Sequence, residues 1–270
     1  MDLHAYFERI GFDGEARPDL ATLKALHRAH LLAIAYENLD VQFGRPLTPS
    51  PEDAFEKIVS RRRGGWCYEM NGLFGAALAA IGFHVTRLAG SVRRDLMGEV
   101  MVGNHLVLKV DLEEPWIADV GFGDGPIDPF PLREGGFEAG GFAYRLERLE
   151  GGWWRFHNSE FGGAPSFDFT EQPASPALLA EKCQWLQTWP ESPFVTIATA
   201  QRHRPGEILV LRGRLLRRVR PGGTEDLLIG DAAAYVDLLA RDFDLHVPEA
   251  AGLWPRMLAR HEQLFAAVSV

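Results

Sequence analysis

Apolar positions along the chain keep two different periods, and the change between them falls near Phe83. In "DLATLKALHRAHLLAIA", Leu20, Leu23, Leu26, Leu31 and Ile34 lie close to one stripe at 3.6 spacing, which predicts a helix with Asp19 as its cap after Pro18. His27 and His30 are expected on that helix's outer surface. "SPEDAFEKIVSRR" predicts a second helix, with Ser50 as N-cap, Pro51 at the first helical position and Asp53 completing a capping box. A third follows "RGGW": Cys67, Met70, Leu73, Phe74, Ala77, Leu78 and Ile81 hold the helical spacing, and Gly82 stops it.

Beyond Phe83 the pattern shortens to alternating or β-branched runs separated by Gly and Pro. "HVTRLAGSVR", "NHLVLKVDL", "WIADVGF", "FAYRLERLE", "WWRFHN" and "SFDFT" read as strands of an antiparallel sheet or barrel. A helix at "SPALLAEKCQWLQTW" leads to further strands at "VTIATAQR", "EILVLRG" and "RLLRRVR", then to helices at "DAAAYVDLLARDF" and "PRMLARHEQLFAAV". The order predicts an α+β protein of closely packed units: a helical bundle over 1–82, a β domain over 83–175, and a mixed region over 176–270.

Composition narrows the partners. With 270 residues, 46% of them hydrophobic, the chain can bury a large core, and a net charge of −9 excludes the concentrated basic surface that nucleic acid requires. No basic-then-apolar leader opens the sequence, and no apolar run reaches the roughly 18 residues of a membrane span, so a cytoplasmic protein is expected. Two cysteines are too few to staple a chain of this size. Metal-binding spacings such as C-x-x-C and H-E-x-x-H are absent, "GFGDGP" fails the dinucleotide fingerprint at Pro126, and no phosphate-binding GK[ST] occurs, so neither a metal nor a permanent cofactor is expected.

The chemistry concentrates around "RRRGGWCYEMNGLF". Cys67 falls in the first turn of the third helix, where free N–H groups and the helix dipole stabilise a thiolate, and the Arg61–Arg63 run adds positive potential. The Gly-Gly pair is expected to let the backbone turn tightly and approach a substrate closely. Cys183, within "LLAEKCQWL", reads as a core residue. A nucleophilic thiol needs a base and a group to orient that base. His105 opens the strand "NHLVLKVDL", and Asp119 ends the next apolar strand, so a hairpin can return the carboxylate beside the imidazole.

"YENLD" (36–40), "RGGWCYEMNGLF", "NHLVLKV" and "DVGFG", in this order and spacing, together with the "SPF" at 192–194, resemble the arylamine N-acetyltransferases over most of the chain. The resemblance implies a C-terminal α/β lid and a cysteine-protease-like core with Cys67, His105 and Asp119 as the catalytic triad. It implies a ping-pong transfer of an acetyl group from acetyl-CoA, the co-substrate, to an arylamine, arylhydrazine or N-hydroxyarylamine, of the kind handled in xenobiotic metabolism. Tyr36, Phe122 and Phe194 match positions lining the acceptor pocket, Glu37 and Arg63 an ion pair fixing the cysteine loop, and Asn71 a hydrogen-bonding position near the triad. Trp66, Tyr68, Met70 and Tyr36 depart from the residues common there, and Asp124 follows the glycine loop where it bears on acidic acceptors or on the CoA pyrophosphate. The same triad order also serves thiol hydrolases and transglutaminase-like amidases, and an amide synthase with a malonyl or propionyl donor stays open. A non-catalytic binding protein is disfavoured by the intact triad, and the oligomeric state is not read from the sequence.

Overall fold

The computed structural model describes residues 1–266. Five helices occupy the N-terminal part: α1 (Leu3–Ile10), α2 (Leu20–Ala33), α3 (Leu39–Gln42), α4 (Pro51–Phe55) and α5 (Cys67–Ile81), with a short strand β1 (Tyr36–Glu37) after α2. Asp19 caps α2 by accepting the Thr22 N–H at 2.8 Å, and Gly82, at φ 109°, ends α5 in the left-handed region that favours glycine. Ser50 caps α4 as expected, but the capping box is not closed: its own N–H goes to Thr48 Oγ1, and the Asp53 carboxylate takes the Thr48 hydroxyl. The α4 segment does not continue as one α-helix either. Glu56–Ser60 form a π-turn, closed by Arg61 N–H to the Glu56 carbonyl at 3.0 Å, and it buries Lys57, Ile58 and Val59.

His27 and His30 are not on a surface; both are buried. His27 Nδ1 lies 2.9 Å from the Ile127 carbonyl and His30 Nδ1 2.8 Å from the Tyr6 hydroxyl, so a loop and a helix distant in sequence cover that face of α2.

Eight antiparallel strands follow: β2 (His84–Val92), β3 (His105–Asp111), β4 (Pro115–Ile117), β5 (Phe130–Pro131), β6 (Gly135–Ala139), β7 (Phe142–Arg148), β8 (Trp153–His157) and β9 (Ser166–Thr170). Their order in the sheet is β5-β4-β3-β2-β9-β8-β7-β6, and its edge strands meet through the stacked rings of Phe130 and Phe137, 4.7 Å apart, so the sheet nearly closes into a barrel. Between β2 and β3 the chain makes a short excursion through helix α6 (Arg94–Met97). β4 stops at Ile117, earlier than the apolar run suggests, and Asp119 sits on the loop beyond it.

The remainder comprises α7 (Pro176–Thr188), α8 (Pro193–Thr196), β10 (Thr199–Arg204), β11 (Glu207–Arg212), β12 (Leu215–Arg220), β13 (Gly223–Leu228), α9 (Ala232–Phe243) and α10 (Trp254–Ala266). The last two residues of the C-terminal helix expected from sequence, 267 and 268, lie outside the described residues. "VTIATAQR" divides between α8 and β10, because Ser192 caps a helical turn through the Phe194 N–H. β10 to β13 form a second antiparallel sheet whose edge is β1, with Tyr36 opposite Gln201. One apolar core joins α1, α2 and α5 to the barrel interior. Phe74 at its centre is fully buried, a contribution of roughly 1.5–3 kcal/mol for a side chain of that kind.

Candidate active site

The cysteine loop is held from two sides. A parallel bridge ties it to β1, with Glu37 N–H donating to the Gly65 carbonyl at 2.9 Å. A Cβ on Gly64 would stand 2.2 Å from the Ala35 carbonyl oxygen, and one on Gly65 2.9 Å from Glu69 Cβ. The glycine pair is therefore demanded by protein packing against protein, which corrects the expectation of a close approach to substrate.

The arginine run is likewise taken up by ion pairs. Arg63 reaches Glu37 at 2.8 Å and Asp40 at 3.4 Å, while the exposed Arg61 and Arg62 lie near Glu56 and Asp244. Beneath the loop the buried Lys57 ammonium sits 2.9 Å from Glu69, 3.1 Å from Asp40 and 3.6 Å from Glu37. Burial pushes the ammonium down, but the three carboxylates overcome it and hold it above its usual value. Glu69 also accepts the Trp66 N–H at 3.2 Å, which fixes the start of α5. Burial raises its own carboxyl pKa.

Cys67 is the first residue of α5, and its thiol lies beside the His105 imidazole closely enough for the two to interact. His105 opens β3 opposite Gly90, where a Cβ would crowd the imidazole at 3.1 Å, and its ring stands between Phe122 and Phe167 at 5.4 and 5.0 Å. Its Nε2 lies 2.6 Å from Asp119 Oδ2, which leaves Nδ1 for the thiol. The other oxygen of Asp119 accepts Asn71 Nδ2 at 2.7 Å and the Gly121 N–H at 2.9 Å. Asn71 is not solvated: it also donates to the Leu106 carbonyl at 2.6 Å and accepts the Val120 N–H at 2.9 Å, so one amide clamps both chain segments that carry the imidazole and the carboxylate. Burial disfavours the imidazolium, yet Asp119 and the thiol together raise the His105 pKa to about 10. Burial likewise works against the Asp119 carboxylate, but the imidazolium, by its charge and its hydrogen bond, and the Asn71 and Gly121 donors hold its pKa below the usual value.

Cys67 and His105 face a cleft of about 310 Å³, and Tyr36, Phe122 and Phe194 all line it. Trp66 and Tyr68 stand behind that lining; Trp66 meets the Phe194 ring edge-on at 5.2 Å, and the Tyr68 hydroxyl donates to the Gly103 carbonyl at 2.6 Å, two residues before His105. Asp124 borders the cleft with its oxygens engaged by the Gly163 N–H at 2.6 Å and Asn158 Nδ2 at 3.2 Å, and burial raises its carboxyl pKa. Cys183 shares an apolar cluster with Cys67, but its thiol's hydrogen-bond contacts among the described residues are the Leu47 carbonyl and Gln187, and burial pushes its pKa up. Lys57, Asp40 and Glu69 were not anticipated; nothing in the spacing of 40, 57 and 69 signals that they meet. Among the described residues, no group of three or more His, Cys, Asp or Glu side chains is placed to hold a metal ion.

A thiol at a helix start, an imidazole beside it and a carboxylate on a ring nitrogen make up the kind of arrangement that cysteine-centred acyl transfer uses. The N-acetyltransferase family pattern matches residues 19–251. The arylamine N-acetyltransferase of Mycolicibacterium smegmatis is 37% identical over 93% of this chain and 94% of its own length. The arylamine N-acetyltransferase / N-hydroxyarylamine O-acetyltransferase of Salmonella typhimurium is 35% identical over 91% and 89%. The Mycobacterium marinum arylamine N-acetyltransferase, solved in complex with CoA, superposes with a TM-score of 0.87 at 35% identity, covering 97% of this chain and 99% of that one. The chain belongs to the arylamine N-acetyltransferase family.

Proposed function

We propose that the protein moves an acetyl group from acetyl-CoA to an arylamine, arylhydrazine or N-hydroxyarylamine, with Cys67 carrying the group between two half-reactions. The observation that carries this reading is the chain of contacts from Cys67 through His105 to Asp119, set in an aromatic-lined cleft of about 310 Å³. In the first half-reaction the Cys67 thiolate attacks the thioester carbonyl, the bond from carbonyl carbon to CoA sulfur breaks, and His105 returns a proton to the departing CoA thiolate. In the second, the amine nitrogen attacks the acetyl-cysteine, the bond to Cys67 sulfur breaks, and the amine's proton passes to His105. Asp119 keeps the imidazole oriented and protonated, and Asn71 fixes Asp119. Backbone N–H groups in the first turn of α5 would supply the donors for the developing oxyanion.

Tyr36, Phe122 and Phe194 supply flat apolar walls for a flat acceptor, and the Glu37–Arg63 pair holds the cysteine loop. The roles divide along the three units read from sequence: 1–82 brings the thiol, 83–175 the imidazole and carboxylate, and 176–270 closes the cleft with Phe194. Two buried free cysteines suit a reducing, cytoplasmic setting, and none of the described helices is long and apolar enough to cross a membrane.

Intact-protein mass spectrometry after mixing with acetyl-CoA alone is the test. An acetyl adduct on the native protein, absent in Cys67→Ala and discharged by an aminobenzoate to the N-acetyl product, is the expected result. Adduct loss to water at the same rate without amine turns the assignment toward a hydrolase, and no adduct at all overturns it.

A further inference from the structure

Residues 122–128 carry the Phe122 wall of the cleft, yet among the described residues no backbone–backbone hydrogen bond fastens them. Side chains from elsewhere hold the stretch instead. The Asp124 carboxylate takes the Gly163 N–H and Asn158 Nδ2, and the Tyr144 hydroxyl reaches the Gly125 carbonyl at 3.4 Å. From α2, the buried His27 brings Nδ1 to 2.9 Å from the Ile127 carbonyl. From β10, Gln201 and the buried His203, two residues apart and so on one face of the strand, lie against Gly123. A Cβ on Gly123 would run into the Gln201 amide, and the His203 ring is close enough to the Gly123 backbone for the two to interact.

A carbonyl only accepts, so His27 donates to Ile127 through Nδ1 and its Nε2 carries a bare lone pair. Neither that Nε2 nor the Nε2 of His203 has a hydrogen-bond partner among the described residues, so a second proton on either ring would bury a charged N–H that nothing accepts. The charged groups around the pair are already engaged. Asp119 is held by His105, Asn71 and Gly121, and Asp128 by Arg28. Arg202 and Arg204 flank His203 but donate to the Leu32 and Asp242 carbonyls, and His30, one turn after His27, faces the Tyr6 hydroxyl. Burial pushes the His27 pKa down against the pull of the Ile127 carbonyl, Asp119 and Asp128, and takes His203 to about 4.

We propose that His27 and His203 are positioning residues for the acceptor half-reaction, gripping loop 122–127 from α2 and from β10 so that Phe122 stays in the cleft wall; the assignment rests on the acetyl-transfer reading above. Asp119 has its own clamp in Asn71 and the Gly121 N–H, so the half-reaction with acetyl-CoA does not depend on this grip. The grip belongs to neutral rings. Their folded pKa values lie below the unfolded 6.5, so the stability they contribute is complete above pH 6.5 and is lost as pH falls toward the folded values.

The test measures the two half-reactions separately: single-turnover acetylation of Cys67 by acetyl-CoA, and discharge of the acetyl-cysteine by an aminobenzoate. His27→Leu and His203→Leu are expected to slow discharge by about fivefold or more and acetylation by less than about twofold. His27→Asn, whose amide can donate where Nδ1 does, should recover most of the discharge rate and also keeps the test open if His27→Leu does not fold. His30→Leu is the control, equally buried but bonded to α1 rather than to the loop, and should lose stability without changing the ratio of the two rates. The gap in unfolding free energy between native protein and His27→Asn should shrink as pH falls below 6.5. Equal slowing of both half-reactions in the His27 and His203 variants, the same split in His30→Leu, or a gap that ignores pH overturns the positioning role while leaving acetyl transfer intact. A native protein that takes no acetyl group from acetyl-CoA overturns the transfer reading and this role together.

Discussion

On one side of the first turn of α5, Lys57 and Arg63 lie among Glu37, Asp40 and Glu69, and none of the five lines the cleft. On the other side His105 has one carboxylate, Asp119, and one thiol, and the thiol and imidazole face the cleft. Both groups are buried and both are charged, yet they differ in what is left over. In the first, every charge meets an opposite charge inside the protein, so the cluster resists change and locks the loop. In the second, the imidazolium is matched on its Nε2 side by Asp119, and its other nitrogen meets an atom that a substrate can also reach. Burial alone therefore does not mark a reactive site. A charge shared between the protein and an open space does.

The comparison is sharpest at Asp119. Asp119→Asn keeps the shape but removes the charge that holds His105 protonated, and Cys67 acetylation is expected to slow by about 10³–10⁴-fold with the fold retained, checked by single-turnover rates and circular dichroism. Stability should then show a distinct pH signature. The His105 pKa is raised from 6.5 to about 10, so its stabilisation is complete below the unfolded value of 6.5 and is lost as pH rises through 10. The Asp119 pKa is lowered from 3.8, so its share is complete above 3.8 and is lost as pH falls through the depressed folded value. The gap in unfolding free energy between native protein and Asp119→Asn should be widest between about pH 4 and 6.5 and should narrow toward pH 10. A gap that widens at alkaline pH would show that the pair is not an imidazolium carboxylate.

Lys57→Met is the counterpart on the sealed side. It leaves three carboxylates facing a methyl group, and denaturant unfolding is expected to show a loss of about 3–5 kcal/mol. Molecules that stay folded should still acetylate, so the loss per active site is small. A variant of native stability with a collapsed acetylation rate would reverse the roles of the two clusters.

Asn71→Ala tests the link between the helix and the carboxylate. It takes one of two donors from Asp119 Oδ1, leaving the Gly121 N–H, and removes the Asn71 partner of the Leu106 carbonyl and the Val120 N–H in a buried place, at about 1–3 kcal/mol of stability, with acetylation slowed by about tenfold or more. Asn71→Asp should not rescue it, because a carboxylate cannot donate to Asp119.

How much of this could be read from the chain depends on how local each cause is. The convergence of Cys67, His105 and Asp119 was legible because each sits at the end of a short patterned element: a helix start, a strand start, and the loop two residues beyond a strand. The same local rules failed where a distant segment decides the outcome. His27 and His30 have the spacing of a helix surface, and only the arrival of Ile127 and Tyr6 buries them. Gly64 and Gly65 resemble a flexible turn, while their real constraint is the Ala35 carbonyl and the Glu69 side chain. Lys57 reads as an ordinary helical lysine until the π-turn rotates it inward toward residues 37, 40 and 69. Strand β1 is two residues long, too short for any pattern, yet its pairing with β10 brings Tyr36 beside Gln201.

The smallest expected effect separates exposure from charge within the sealed cluster itself. Asp40 accepts from two arginines, Arg63 at 3.4 Å and Arg45 at 3.1 Å, so distance alone would rank Arg45 as the stronger partner. Their side chains differ in exposure, 12% for Arg63 and 50% for Arg45. Water screens the second pair, and Arg45 also divides its contacts between Asp40, Glu249 and the Phe43 ring. Arg45→Ala should therefore cost under about 1 kcal/mol and diminish further in high salt, whereas Arg63→Ala, which strips Glu37 of its nearest cation, should cost several times more and respond little to salt. Equal costs in the two variants would mean that Asp40 holds the cluster together by proximity, and that the loop before Cys67 is anchored at its exposed rim rather than at its buried centre.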